Sequence, residues 1–135
     1  MDSEFLRDIE KVAETDGRYD RAAYLFMYDA LQHTVEQLGK EALPRDQRHV
    51  SGRELLQGIS AYALSQFGPL TLSVLQHWGL RTTRDFGEIV FNLVESSLMS
   101  KTEDDSIEDF VDVYDFAEEF DWKKRRKQFT RQSTT

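Results

Sequence analysis

The sequence predicts a mainly α fold: a compact helical domain whose C-terminal half is winged-helix-like. Three observations lead there. Apolar residues recur at three- and four-residue spacing across most of residues 5–97. Helix punctuation brackets those stripes, with Ser51 and Glu54 set as a capping box and glycines at 39 and 79 just past two stripe ends. After Ser97 the helical period gives way to short β-prone runs around an acidic turn, in the order helix, turn, helix, hairpin.

A first helix is predicted from Ser3 to Glu14, capped by Ser3, with Phe5, Leu6, Ile9, Val12 and Ala13 on one face. Asp16-Gly17-Arg18-Tyr19 reads as a turn. The second helix, Asp20 to Leu38, carries a continuous stripe from Ala23 to Leu38, widened by Tyr24, Phe26 and Tyr28. An arc that wide suits a helix with several neighbours. The short turn between the two predicts a helical hairpin over 1–38.

Residues 40–49 form a polar loop, and a third helix opens at Ser51, where Val50 and Leu55 can close a hydrophobic staple. Gly68-Pro69 ends it and starts a fourth, which runs to Trp78. Thr82 or Thr83 caps a fifth, aligning Phe86, Ile89, Val90, Leu93, Val94 and Ser97. Residues 98–101 and 110–114 are predicted as the two strands of a short hairpin, with the acidic turn 103–109 between them. Asp115 then caps a last helix running from Phe116 into the basic run. One domain is expected over 1–122, with its winged part at 51–116, and 123–135 reads as a basic, flexible tail.

At 135 residues the chain is long enough to bury a core without disulfides or metal. It has no cysteine, which excludes thiol catalysis and zinc–thiolate sites. No apolar run reaches the roughly 18–20 residues that span a bilayer, and the acidic N-terminus has no signal-peptide pattern. A cytoplasmic setting without membrane contact is the expectation. Residues 1–122 hold 11 basic and 25 acidic side chains, and 123–135 hold six basic and none acidic. Ten of the acids lie within 103–121, a span without a basic residue. An acidic body with a basic end should repel polyanions and attract cationic protein surfaces.

Few motifs carry chemistry. If the fifth helix read DNA, it would present Thr83, Arg84, Asp85, Gly87, Glu88 and Asn92. One arginine against two carboxylates is poor chemistry for approaching phosphate. The run Lys123, Lys124, Arg125, Arg126, Lys127 with Arg131 could hold a nucleic-acid backbone, Trp122 and Phe129 stacking on bases; it could equally pair with the chain's own acids or stay solvated. The acidic turn fails the EF-hand pattern, having Asp109 where position six needs glycine. His33, His49 and His77 lack metal-ligand spacing, and His49 reads as a loop hydrogen-bonding residue. No nucleophile elbow or phosphate-cradling loop occurs. Neither cofactor nor metal is predicted, and no enzymatic activity. Phe91, isolated on the charged side of the fifth helix, either packs under the following segment or anchors another chain.

Several phrases together resemble an uncharacterised bacterial family of planctomycete and verrucomicrobial type. They are Asp16-Gly17-Arg18-Tyr19, Arg48-His49-Val50-Ser51-Gly52 with Glu54-Leu55-Leu56, Phe67-Gly68-Pro69, Val74 to Leu80, Asp85 to Glu95, and Tyr114-Asp115-Phe116. The resemblance spans most of 5–120 and brings no activity with it. It implies a bacterial cytoplasmic setting and argues against nuclear import through the basic run.

The expected function is a non-enzymatic protein-interaction or adaptor module with an acidic surface. Its partner would be another protein with a basic surface, met by Phe91, Glu88, Glu95, Arg84, Asp104 and Asp105. The alternative is a nucleic-acid- or ribosome-associated protein that binds through the basic end.

Overall fold

Helices are built where the caps and stripes call for them. The computed structural model of the chain describes residues 3–133. Helix α1 spans Ser3–Asp16, α2 Arg21–Gln37, α3 Gly52–Phe67, α4 Thr71–His77, α5 Thr83–Glu95, α6 Phe116–Glu119 and α7 Trp122–Ser133. Asp20 caps α2 by accepting from the Ala22 amide. The capping box opening α3 is complete: Ser51 Oγ accepts from the Glu54 amide at 3.1 Å, and the Glu54 carboxylate accepts from the Ser51 amide at 2.9 Å.

The core is one cluster to which every helix but α7 gives a fully or nearly buried side chain. Ile9, Met27, Leu56, Ile59, Leu75, Phe86, Ile89 and Leu93 lie at its centre, closed by Phe110, Phe116 and Phe120. Helices α2 and α3 pack so closely that a Cβ on Gly58 would collide with Thr34 Oγ1 and come within 2.8 Å of Thr34 Cβ. Thr34 sits in that seam with its hydroxyl donating to Ala30 O.

The C-terminal half departs from the expectation. No strand occurs among the described residues, so the hairpin near 98–114 and the winged-helix reading of 51–116 are not supported. The reason lies in who takes the backbone hydrogen bonds. Ser97 turns into the left-handed region at φ 62°, and the amides of Leu98 and Met99 both donate back to Leu93 O at the end of α5. A 3₁₀ turn follows at Ile107–Phe110. Thr83 Oγ1 then donates to Phe110 O and accepts from the Val113 amide. Asp112, at φ 50°, breaks the extended run between them. The groups a ladder would need are thus spent on α5.

The same segment covers part of the face that a recognition helix would offer to DNA. Thr83 and Gly87 are buried, and a Cβ on Gly87 would meet Phe110 and Ile107 within 3 Å. The last helix is also not continuous. It breaks at Phe120–Asp121 into α6 and α7, so the stretch expected as a flexible basic tail is helical as far as Ser133.

Candidate functional site

Helix α5 buries Phe86, Ile89 and Leu93 and leaves two flanks. On one, Phe91 is half-buried, edge-to-face with Phe110 at a centroid distance of 6.2 Å. With Leu31, Val50, Val90 and Met99 it floors an apolar recess of about 40 Å³, edged by Lys101 and Asp105. The reversal after α5 carries Met99 onto this floor. The following turn is tied by Asp105, whose carboxylate accepts from the Thr102 amide at 2.8 Å and lies 3.3 Å from His49 Nε2. Asp104 and Glu103 are exposed on the same turn.

The other flank faces the turn between α1 and α2 and is wholly polar. Arg18 donates to Asp16 at 2.6 Å and reaches Glu88 at 3.5 Å, while Arg84 pairs with Glu88 at 3.2 Å. Beneath them, the fully buried Tyr24 donates to Asp16 at 2.6 Å and accepts from Asn92 at 2.9 Å. Burial, then the bond to Asp16, hold the Tyr24 phenol well above its ordinary pKa. Tyr19 donates to Asp85, whose other oxygen accepts from the amides of Arg81 and Thr82. Glu95 stands exposed beside Asn92, at a shallow depression shared with Lys11 and Asp16.

The six residues expected to meet a partner are therefore divided. Phe91 and Asp105 belong to one recess with Asp104 beside them; Arg84 and Glu88 are engaged with each other and with Arg18; Glu95 lies apart. Sequence reasoning missed Leu31, Val50 and Met99, which three separate segments bring to Phe91. It also read Tyr24 and Asp16 as core and turn, when they join one buried hydrogen-bond network. The co-occurrence of Asp16-Gly17-Arg18-Tyr19 with Asp85 and Asn92 was the available signal, and spacing alone does not reveal such contacts.

The basic end is anchored through its apolar side. Trp122 and Phe129 stack on each other at 6.1 Å, and Trp122 lies over Gly68 at the end of α3. These rings, which the nucleic-acid alternative would stack on bases, pack against each other and against the body. Arg125 pairs with Glu119 at 3.1 Å, and Glu119 in turn accepts from the buried Ser60 hydroxyl. Lys123, Lys124, Arg126 and Lys127 are exposed, and the Arg131 side chain lies outside the described residues. In the acidic turn, Ser106 caps the 3₁₀ helix, accepting from the Glu108 amide, and its own amide donates to Asp109. Among the described residues no group of three or more His, Asp or Glu side chains could hold a metal ion, and no helix is long and apolar enough to cross a membrane.

Comparison with protein-family models, with curated proteins and with solved structures gives no match.

Proposed function

We propose that this protein is a non-enzymatic interaction module that receives a basic segment of another protein, the Phe91 recess taking an apolar side chain of that segment. The observation that carries this reading is the pairing of a solvent-open apolar floor at Phe91 with Asp105 at its edge and the exposed Glu103 and Asp104 on the same turn, three carboxylates against the one lysine, Lys101, on that edge. A recess of about 40 Å³ is far below the roughly 300 Å³ of ordinary small-molecule sites and suits the tip of one side chain. Acids outside it steer cations, while the apolar floor supplies the anchor.

A labelled amphipathic lysine/leucine peptide, followed by fluorescence anisotropy, tests this directly. Phe91→Ala should weaken its binding by about 5–30-fold, the range of an interface anchor. Phe91→Leu should retain most of the affinity, with circular dichroism confirming that both variants are folded. Equal affinity for wild type and folded Phe91→Ala would remove the recess from the interface.

A second reading keeps support from α7, whose exposed Lys123, Lys124 and Lys127 lie on the side of the helix turned from the packed Trp122 and Phe129, with Arg126 exposed at the border of the packed side. With Arg125 committed to Glu119, at most five of the six charges can meet phosphate. Duplex binding would then show a slope of log K against log salt no steeper than about −4.5. A slope near zero, or unchanged binding after Lys123→Glu with Lys124→Glu, would exclude it.

A further inference from the structure

The wall that α2 gives to the Phe91 recess continues beyond it. Leu31 lines the recess, and Leu38 follows seven residues later on the same face, about 10.5 Å along the helix and turned by only about 20°. Leu38 closes the helix at φ −84°, its amide still donating to Thr34 O, so the helical register carries through to it. Its side chain is 41% exposed, and that of Leu43, in the turn after α2, is 37% exposed. Val35 is turned about 40–60° off the line from Leu31 to Leu38 and is buried. Lys40 Nζ donates to the carbonyl of His49, the neighbour of Val50 on the recess floor, which ties the end of α2 to the recess and fixes the interval.

The recess and Leu38 thus offer two apolar contact points, and their spacing discriminates between backbones. An α-helix returns to the same face after seven residues, about 10.5 Å on. A β-strand repeats its face at about 6.6 and 13.2 Å and shows its opposite face between them. Charge distinguishes the two points as well. Glu103, Asp104 and Asp105 border the recess against Lys101 alone, whereas residues 36–48 hold three acidic and three basic side chains.

We propose that the basic segment received at the Phe91 recess is an amphipathic α-helix laid along α2, with two apolar side chains seven residues apart. One enters the recess, the other rests on Leu38, and the lysines or arginines gather around the first. This rests on the recess being the binding site and adds the partner's conformation, register and charge placement.

Fluorescence anisotropy with labelled peptides and the full chain tests it. Two peptides are held helical by α-aminoisobutyric acid and carry lysines around one leucine; the second of them has another leucine seven residues away, placed on either side. A third is proline-rich and extended, with the same lysines and leucines three residues apart, about 9.3 Å. The two-leucine helix should bind about fivefold or more tighter than the one-leucine helix. Leu38→Ser should remove that gain and Leu38→Met should keep most of it, while the one-leucine helix binds both variants as it binds wild type. Phe91→Ala should weaken both helices. Equal affinity of the extended peptide and the two-leucine helix, or an undiminished gain in folded Leu38→Ser, would overturn the proposal and leave the recess in place. Affinities untouched by Phe91→Ala would remove the recess itself, and the helix with it.

Discussion

Tyr24 shows how one side chain couples three elements. Its hydroxyl joins Asp16 at the end of α1 to Asn92 on α5, from a position with no solvent exposure. Removing it leaves buried polar groups short of partners, so Tyr24→Phe should cost about 1–3 kcal/mol in urea unfolding at neutral pH. The fold raises the pKa of this acid, so its contribution is present below the unfolded phenol value of 10.0 and is lost as pH rises above it. The stability gap between wild type and Tyr24→Phe should accordingly narrow above pH 10. Gly58 is the opposite case, a residue defined by what it lacks. Gly58→Ala should destabilise by about 1–3 kcal/mol through overpacking against Thr34. Part of that loss should return when Thr34→Ala is added, and strict additivity would place the strain elsewhere.

Elements with local signals were legible. Asp20, Ser51 with Glu54, and Gly39 and Gly79 mark helix ends through contacts a few residues long, and the helices end within about two residues of those marks. The 98–114 segment was not legible. Val111 and Val113 favour a strand, but Asp112 turns left-handed and Thr83, some thirty residues away, takes the neighbouring backbone groups. The recess at Phe91 was legible only as one stranded phenylalanine, because the other walls come from α2, the loop before α3 and the reversal after α5. The α3 cap supplies an element-scale test. Bonds from Ser51, its backbone amide first, hold the Glu54 carboxyl below its ordinary value of 4.5. A depressed carboxyl stabilises above the unfolded pKa and loses that effect as pH falls through the folded one. Glu54→Gln should therefore lower stability near pH 7 and match wild type in acid well below pH 4.5, as measured by thermal unfolding across pH. Ser51→Ala should cost about 1 kcal/mol.

At the scale of the whole molecule, charge is segregated: net −14 over residues 1–122 against +6 over 123–135. Two effects can draw a basic partner, the general field of the body and a specific acidic edge at the Phe91 recess, and they differ in how they respond to moving charge. Exposed charges far from a contact alter association modestly and are screened by salt, whereas charges at the contact set where the partner sits. The most direct measurement is the affinity of the lysine/leucine peptide for two variants of equal net charge, Glu103→Lys with Asp104→Lys, and Glu14→Lys with Glu36→Lys. All four positions are exposed. The first pair should weaken binding by about tenfold or more and the second by about twofold at most, at physiological salt. Equal losses in both would mean that the field alone attracts the peptide, and the recess would no longer be the site.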